Sequence, residues 1–305
     1  MNCQMISKSL PVECLQLKNK KIIFSFLLLL ISQLSIAQLE RKKVVEDPDV
    51  ELTFNAPRHI NFFTVETVEA KGLHLNIMHT FGPINSGAQN LWGLDAGANI
   101  QIGFEYGLNK NTSIGLQRQS LDKIYTLYGR QVVLKQNQSG ATPLSVSLYG
   151  GLSMNTNDYS YLDDKNPSAS DRMMYSTQIM LARKFNDRFS LQISPVVSYF
   201  ADLNPQFLID TDQQFNLALA SSMKYRITRK SYLTLQYMEN LNNGLNRNFG
   251  VGIDIETGGH VFQMYFVTSR ALNVPYLLGV DNGDIGGDFR VGFNVNRIFG
   301  NSRKP

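Results

Sequence analysis

Apolar and polar residues alternate along the chain from residue 71 onwards, in stretches of about 10 residues separated by glycine, asparagine, aspartate and serine. In the last of these stretches every second residue is apolar: Phe289, Val291, Phe293 and Val295. Successive side chains of a β-strand point to opposite faces, so this alternation predicts strands with one apolar face and one polar face.

Twelve such strands are predicted, near residues 71–81, 97–108, 112–121, 124–136, 143–154, 172–184, 188–200, 212–226, 231–240, 248–257, 260–269 and 286–299. Short turns are predicted near 109–111, 185–187, 227–230 and 258–259. Longer polar connections are predicted near 82–96, 155–170, 201–211, 241–247 and 270–285. This alternation of short and long connections is typical of bacterial outer-membrane barrels, with short periplasmic turns and longer outer loops. The pattern therefore predicts an all-β protein, a single antiparallel transmembrane β-barrel of about 12 strands over residues 67–305.

One hairpin gives a sharp prediction of strand pairing, because a slip of one residue moves every side chain to the opposite face. A two-residue turn at Gly258-Gly259 pairs Thr257 with His260. With this pairing the apolar residues of both strands fall on the same face, so the turn and the pattern agree.

A second hairpin does not agree with a two-residue turn. Such a turn at Asn186-Asp187 would place the apolar Leu181 opposite a polar residue. We therefore predict a longer loop or a bulge here, which pairs Leu181 with Leu191 and Ile179 with Ile193.

The first 37 residues have the layout of a secretory signal peptide. Basic residues around Lys20 precede an apolar run, Ile22 to Ile36, that is shorter than the roughly 18 to 20 residues of a membrane-spanning helix. Small residues stand at Ser35 and Ala37, the two positions that a signal peptidase reads, so cleavage is predicted between Ala37 and Gln38.

Residues 38–66 are predicted to form a periplasmic N-terminal arm or partial plug. Residues 58–66 could be read as a strand, but counting them would give 13 strands, and single-chain bacterial barrels have an even number. We therefore expect residues 58–66 to fold across the mouth of the barrel or into its lumen.

The charge balance argues against a nucleic-acid partner. The chain has 29 basic and 25 acidic residues, and the predicted leader holds four of the lysines and one glutamate, so the mature chain is almost neutral. It has no basic stripe that could neutralise several phosphates. Both cysteines, Cys3 and Cys14, lie in the leader, so we expect no disulfide, no thiolate metal site and no cofactor in the mature protein.

Several short segments together carry a family resemblance: Gly72–Gly82, Trp92–Asp95, Gly103–Gly107, Ser113–Gly115 and Gly258–Gln263. On these residues the chain resembles a family of outer-membrane β-barrel proteins of the Bacteroidota that has no assigned activity. The resemblance covers nearly all of the mature chain. It implies the barrel fold and the outer-membrane location, and it supplies no catalytic residues.

Ionisable residues on the polar faces of the predicted strands are the candidate site. They are Glu105, Lys224, Arg226, Asp254, Glu256 and Arg290. Isolated charges inside a barrel are costly. These groups therefore either pair across the lumen without a specific ligand, or line the path of a solute, and the pattern leaves both interpretations open.

The predicted function is non-enzymatic passage or binding of a small solute through a polar, charged lumen. The alternative is a structural or interaction barrel, plugged by its N-terminal arm and presenting the loops at 155–170 and 270–285 to a partner. An outer-membrane lipid-modifying enzyme is less favoured, because no serine and histidine are signalled as a catalytic pair. The expected partners are outer-membrane lipid, a small solute, and the barrel assembly machinery, which would contact the C-terminal strand ending at Phe299.

Overall fold

The computed structural model describes residues 47–158, 168–201, 214–242, 247–280 and 287–300. The predicted leader, its cleavage site at Ala37 and Gln38, and parts of four predicted long connections lie outside the described residues.

Twelve antiparallel strands in the described part of the chain form one closed barrel. A two-stranded hairpin precedes them, formed by β1 (Arg58–His59) and β2 (Phe62–Phe63). The barrel strands are β3 (Leu73–Pro83), β4 (Asn99–Gly107), β5 (Thr112–Gln119), β6 (Ile124–Leu134), β7 (Ser145–Asn155), β8 (Met173–Lys184), β9 (Phe189–Phe200), β10 (Phe215–Arg226), β11 (Ser231–Asn240), β12 (Asn248–Thr257), β13 (His260–Val267) and β14 (Arg290–Phe299). Each pairs with its neighbours in sequence, and β14 pairs with β3 to close the sheet. The predicted fold class is confirmed, and residues 58–66 add no thirteenth barrel strand.

Short helical segments lie between some of the strands. An α-helix, α1 (Val274–Gly279), follows β13, and 3₁₀ turns cover Ile84–Ser86, Ala88–Gly93 and Leu121–Lys123. No helix in the described ranges is long and apolar enough to cross a membrane.

The two faces of the sheet are sorted as the alternation predicts, with the apolar face outside. In β4, Phe104 exposes 48% of its surface, whereas the next residue, Glu105, exposes 1%. The same sorting holds for exposed Ile253 and buried Asp254 in β12. An apolar belt exposed all round a closed barrel is the surface that a lipid bilayer covers.

The hairpin of β12 and β13 has the predicted register. Thr257 pairs with His260 and Ile253 pairs with Met264. Gly258 and Gly259 both have positive φ, 48° and 93°, the conformation that a tight two-residue turn requires.

The hairpin of β8 and β9 corrects a prediction. A loop longer than two residues is present, but Leu181 pairs with Ile193, and Leu191 pairs with Arg183. The side chain of Asn186 accepts hydrogen bonds from the main-chain N–H groups of residues 188 and 189, at 2.8 and 2.9 Å, and closes a three-residue loop. The predicted pairs were wrong by two residues, a shift that keeps every side chain on its face.

The barrel has two different ends. The end that carries the connections 108–111, 185–188, 227–230 and 258–259 is called here the short-turn end, and the opposite end is called the long-loop end.

Candidate functional site

The lumen contains the N-terminal arm, which we define as residues 47–68. It contacts the short-turn end first, where Asp49 bridges Asn137 and Val50 N donates to Gln136 O at 2.7 Å. It returns to the same end before β3, where Lys71 N donates to Gly107 O at 2.8 Å. Between these points, residues 56–65 are all buried. The arm is therefore a hairpin loop inserted into the lumen from the short-turn end.

Side chains of the wall hold the arm by its main chain. The amides of Gln178 and Gln192 both donate to the carbonyl of Phe63, at 3.0 and 2.9 Å. Gln192 also accepts from the N–H of Val65 at 2.9 Å. Asn294 donates to the carbonyl of Ile60 at 2.7 Å. Because buried main-chain groups need partners, these amides let the arm be buried without belonging to the barrel sheet.

One ring of the arm lies in a pocket of the wall that we call the Phe63 cradle: Tyr128, Arg130, Tyr149, Gly115 and Gly151. The ring of Phe63 lies 4.6 Å from that of Tyr149 in a stacked geometry and 5.0 Å from that of Tyr128. The guanidinium of Arg130 lies 4.9 Å from the Phe63 ring centre. The arm's own Arg58 covers the same ring at 3.6 Å.

Two glycines shape the wall of the cradle. Gly115 and Gly151 flank Tyr128 on the neighbouring strands β5 and β7. A Cβ atom at Gly115 would overlap the ring of Tyr128, and one at Gly151 would overlap the end of Tyr149. The two glycines therefore leave the space on the inner wall that the rings of Tyr128 and Tyr149 occupy.

A buried ion pair joins the wall to the arm. Arg130 Nη1 lies 3.1 Å from Oε1 and 3.2 Å from Oε2 of Glu105. Arg130 Nη2 donates to the carbonyls of Thr64 and, at 2.8 Å, Glu66. Ser113 Oγ donates to Glu105 at 2.5 Å. One guanidinium thus neutralises a wall carboxylate and binds two carbonyls of the arm, which is the bidentate use to which arginine is suited.

A second polar cluster lies nearer the short-turn end and is completed by an amide of the arm. Lys224 Nζ donates to Asn55 Oδ1 at 3.2 Å and to Leu52 O at 2.8 Å. Asn55 Nδ2 donates to Asp254 at 3.4 Å, and Gln263 donates to the same carboxylate at 3.1 Å. Asn55 of the arm thus lies between Lys224 and Asp254 and forms hydrogen bonds with both of these oppositely charged wall residues.

A histidine of the arm, outside the spanning strands, is uncharged. Burial lowers the pKa of His59 to about 4. Its Nε2 donates to Leu235 O at 3.2 Å.

The predicted site residues do not form one constriction. Glu105, Lys224 and Asp254 are buried in the lumen, in two separate clusters. Arg226 and Glu256 are partly exposed near the short-turn end, and Arg290 is partly exposed at the opposite end, where it pairs with Pro83.

Sequence reasoning missed the residues that connect the wall to the arm: Arg130, Tyr128, Tyr149, Asn55 and Arg58. A signal was available for three of them, because Arg130 and Tyr128 share the inward face of β6 and Tyr149 lies on that of β7. For Asn55 and Arg58 there was none, since the arm has no regular alternation.

A chain segment from the long-loop end also enters the lumen. Residues 271–280 are all buried, and Asn273 accepts from Tyr276 N to cap α1. Gln119 accepts from the N–H groups of residues 272 and 273, both at 3.2 Å. The alternative function has the connection 270–285 presented to a partner, but residues 271–280 are buried and not available for this. The segment is uncharged and rich in leucine and valine, so burial in the lumen is favourable.

The arm, the wall and this segment meet in one apolar cluster. It contains Phe62 and Phe63 of the arm, Leu277 and Leu278 of α1, and small or flexible wall residues such as Met238. A cavity of about 110 Å³ remains beside the arm, lined by residues of the arm and of the short-turn end. In the described residues the lumen is thus filled from both ends.

A closed antiparallel barrel with a lipid-facing exterior and a polar, internally plugged lumen defines a β-barrel protein of the outer membrane. The chain belongs to a family described as "Membrane bound beta barrel domain (DUF5777)", which matches residues 54–299. The predicted family type and location are confirmed, and the origin in the Bacteroidota stays a prediction. No curated protein sequence matches this chain.

Three solved structures share the general architecture. The KdgM porin is 7% identical, with a TM-score of 0.45, and the match covers 75% of this chain and 99% of that one. The NanC porin is 8% identical, with a TM-score of 0.46, and 75% and 100% are covered. The COG4313 outer membrane channel from Pseudomonas putida F1 is 13% identical, with a TM-score of 0.48, and 77% and 97% are covered. The family match, and not these likenesses, identifies the chain.

Proposed function

We propose that this protein is a non-enzymatic passage for a small solute, closed by its own arm and opened when the arm withdraws. The observation that carries the proposal is the polar inner wall, which binds the arm through hydrogen bonds. A permanently filled barrel gains most from an apolar core, because each buried polar group needs a partner. Here the wall carries glutamines at many inward positions, including Gln101, Gln117, Gln178 and Gln192. Water can replace the arm as partner of such groups, so an open lumen would be hydrated.

The position of the arm suggests how opening occurs. It enters from the short-turn end, which in barrels of this class faces the periplasm. We therefore place the entry point of the arm and the end of β14 at Phe299 on the periplasmic side. At the tip of the arm Ile60 has a φ of 52°, a costly conformation for a β-branched residue. Withdrawal would release this strain.

A second candidate function is a structural or interaction barrel whose plug never leaves. The apolar cluster that joins Phe62 and Phe63 to Leu277 and Leu278 favours it, because separating these side chains would expose apolar surface inside the lumen. The two candidates differ in one measurable property, which is conductance after the arm has been freed.

Planar-bilayer conductance of the mature protein tests the proposal through a lock on the arm. A Cβ atom at Gly250 would lie 3.2 Å from Ile60 Cγ2, so Ile60→Cys with Gly250→Cys places two thiols within disulfide reach. Both native cysteines precede residue 38, so the engineered pair stands alone in the mature chain. We expect oxidised protein to be silent and reduced protein to open, with each single variant as control.

A second experiment deletes the N-terminal arm up to residue 66. We expect larger or more frequent single-channel currents than from the full mature chain. A further variant combines this deletion with a glycine-serine linker in place of residues 271–280. In this variant the segment from the long-loop end cannot block the path. Folding is checked by heat-modifiable gel migration. Silence of both folded variants would refute passage and leave the structural barrel.

A further inference from the structure

The Phe63 cradle has the form of a ligand site whose present occupant is a side chain of the same protein. The walls of the pocket are the rings of Tyr128 and Tyr149, both fully inside the lumen, and the occupant is the ring of Phe63. The gaps left by Gly115 and Gly151 accommodate the tyrosine rings on the wall itself. The cradle walls therefore belong to the barrel and would remain if the arm withdrew.

Hydrogen-bond donors surround the ring on one side. Gln178 and Gln192 point their amide N–H groups at the carbonyl of Phe63, and Arg130 points Nη2 at the carbonyl of Thr64. Both of these acceptor carbonyls belong to the arm. Gln192 Nε2 also donates to Ser194 Oγ of the wall at 3.1 Å, and Glu105 occupies only Nη1 of Arg130. Withdrawal of the arm would leave three buried donors beside two aromatic faces. In the hydrated lumen water would bind these donors, and a ligand oxygen that reproduces the same hydrogen bonds can displace that water.

We propose that the cradle is a ligand subsite of the passage, which binds an aromatic ring carrying a carbonyl or carboxylate oxygen. The inference rests on the proposed passage function. The ring of the ligand takes the place of the Phe63 ring against Tyr128 and Tyr149, and its oxygen accepts from Arg130 or from the two glutamines. Phe63 and its carbonyl are then an internal competitor, so ligand binding and arm withdrawal favour each other.

The neighbouring phenylalanine provides a matched control. Phe62 is the same residue type, is equally buried and lies next to Phe63, but it packs in the apolar cluster without a ring contact to Tyr128 or Tyr149. Shortening either side chain removes a similar amount of apolar surface. Only Phe63→Ala empties the space beside the two tyrosine rings.

Binding of two probes to the mature protein in detergent micelles tests the proposal. The probes are phenylacetate, an aromatic carboxylate, and N-acetyl-phenylalaninamide, an aromatic residue with peptide carbonyls, and cyclohexylacetate is the non-aromatic control. Affinities are measured by isothermal titration calorimetry, and saturation-transfer NMR shows whether the ring protons touch the protein. We expect Phe63→Ala to bind at least one aromatic probe about tenfold more tightly than the unmodified protein, because the competitor is gone.

The control variants fix the location. Phe62→Ala loosens the arm but leaves the Phe63 ring as competitor, so it is expected to gain clearly less affinity than Phe63→Ala, and adding Tyr149→Ala to Phe63→Ala is expected to abolish the gain. Phe63→Leu keeps a buried apolar side chain without a ring, so it gives a second reading if the alanine variant does not fold. Binding of phenylacetate alone identifies a free aromatic acid as the ligand class, and binding of the amide alone identifies an aromatic peptide group.

Equal binding by the Phe62 and Phe63 variants, or equal binding of cyclohexylacetate, would overturn the subsite. This outcome is distinct from failure of the passage function. A lock variant that never conducts, combined with aromatic binding in Phe63→Ala, would leave the subsite and remove the passage. Conductance without aromatic binding would leave the passage function and remove the subsite.

Discussion

Replacing Arg130 by methionine should destabilise the protein strongly, because this one side chain neutralises a wall carboxylate and holds the arm. Both side chains of the Arg130–Glu105 pair are completely buried. In the variant Glu105 keeps its hydrogen bonds from Ser113 at 2.5 Å and Tyr128 at 3.4 Å, and Arg58 still attracts it from a longer distance, but it loses its only ion-pair partner among the described residues. Leaving a buried charge without its partner costs about 3 to 5 kcal/mol.

The contacts to the arm add a second, separable part. Arg130 also donates to the carbonyls of Thr64 and Glu66, and each lost hydrogen bond costs roughly 1 kcal/mol. The single variant Arg130→Met is therefore expected to lose about 5 to 7 kcal/mol of unfolding free energy. The double variant Glu105→Gln with Arg130→Met removes both charges of the pair, so no unpaired carboxylate remains there and the expected loss is mainly that of the arm bonds, at roughly 2 kcal/mol.

Urea unfolding of the mature protein in detergent micelles, followed by far-ultraviolet circular dichroism and gel migration, measures these differences. Arg118→Met is the matched control, because Arg118 lies on the outward face of β5 and should change stability by less than about 0.5 kcal/mol. A double variant as unstable as Arg130→Met would refute the reasoning. It would mean that the buried charge of Glu105 is not what makes the loss of Arg130 costly.

Two further substitutions test the faces of the sheet by urea unfolding, the first in detergent micelles and the second in lipid vesicles. Gly115→Val should cost about 1 to 3 kcal/mol through overpacking, because a Cβ there overlaps the ring of Tyr128. Gly150→Val, at a position with open space towards lipid, should be tolerated, and equal losses would contradict the cradle geometry. Ile253→Lys on the lipid face should cost about 2 to 4 kcal/mol in lipid vesicles, with Ile253→Leu as control. Tolerance of the lysine would argue against membrane exposure of this strand.

Strand positions were predictable because each strand of a closed barrel carries the whole signal locally. Ile253 faces lipid and Asp254 faces the lumen at adjacent positions, so no distant contact is needed to assign either side. Register was predictable where the turn itself defines it, as at Gly258-Gly259. It was wrong at the hairpin after β8, where Asn186 closes a three-residue loop by its own side chain.

The candidate site was predictable only in part. Alternation places Glu105, Lys224 and Asp254 in the lumen, but it does not say which group each one meets. Glu105 meets Arg130 from the strand next but one, and Lys224 meets Asn55 from the arm. These partners are far apart in sequence, so no spacing rule connects them.

By itself, the sequence determined the type of protein: a chain whose residues alternate with period two over 12 stretches can satisfy its backbone in a membrane only as a closed barrel. Only the tertiary structure decided what the barrel encloses. The arm and residues 271–280 have no periodic pattern that assigns them to the lumen, and their burial depends on wall amides such as Gln192 and Gln119 meeting their main-chain groups. Local alternation is a property of each strand, whereas the filling of a lumen is a property of all strands together.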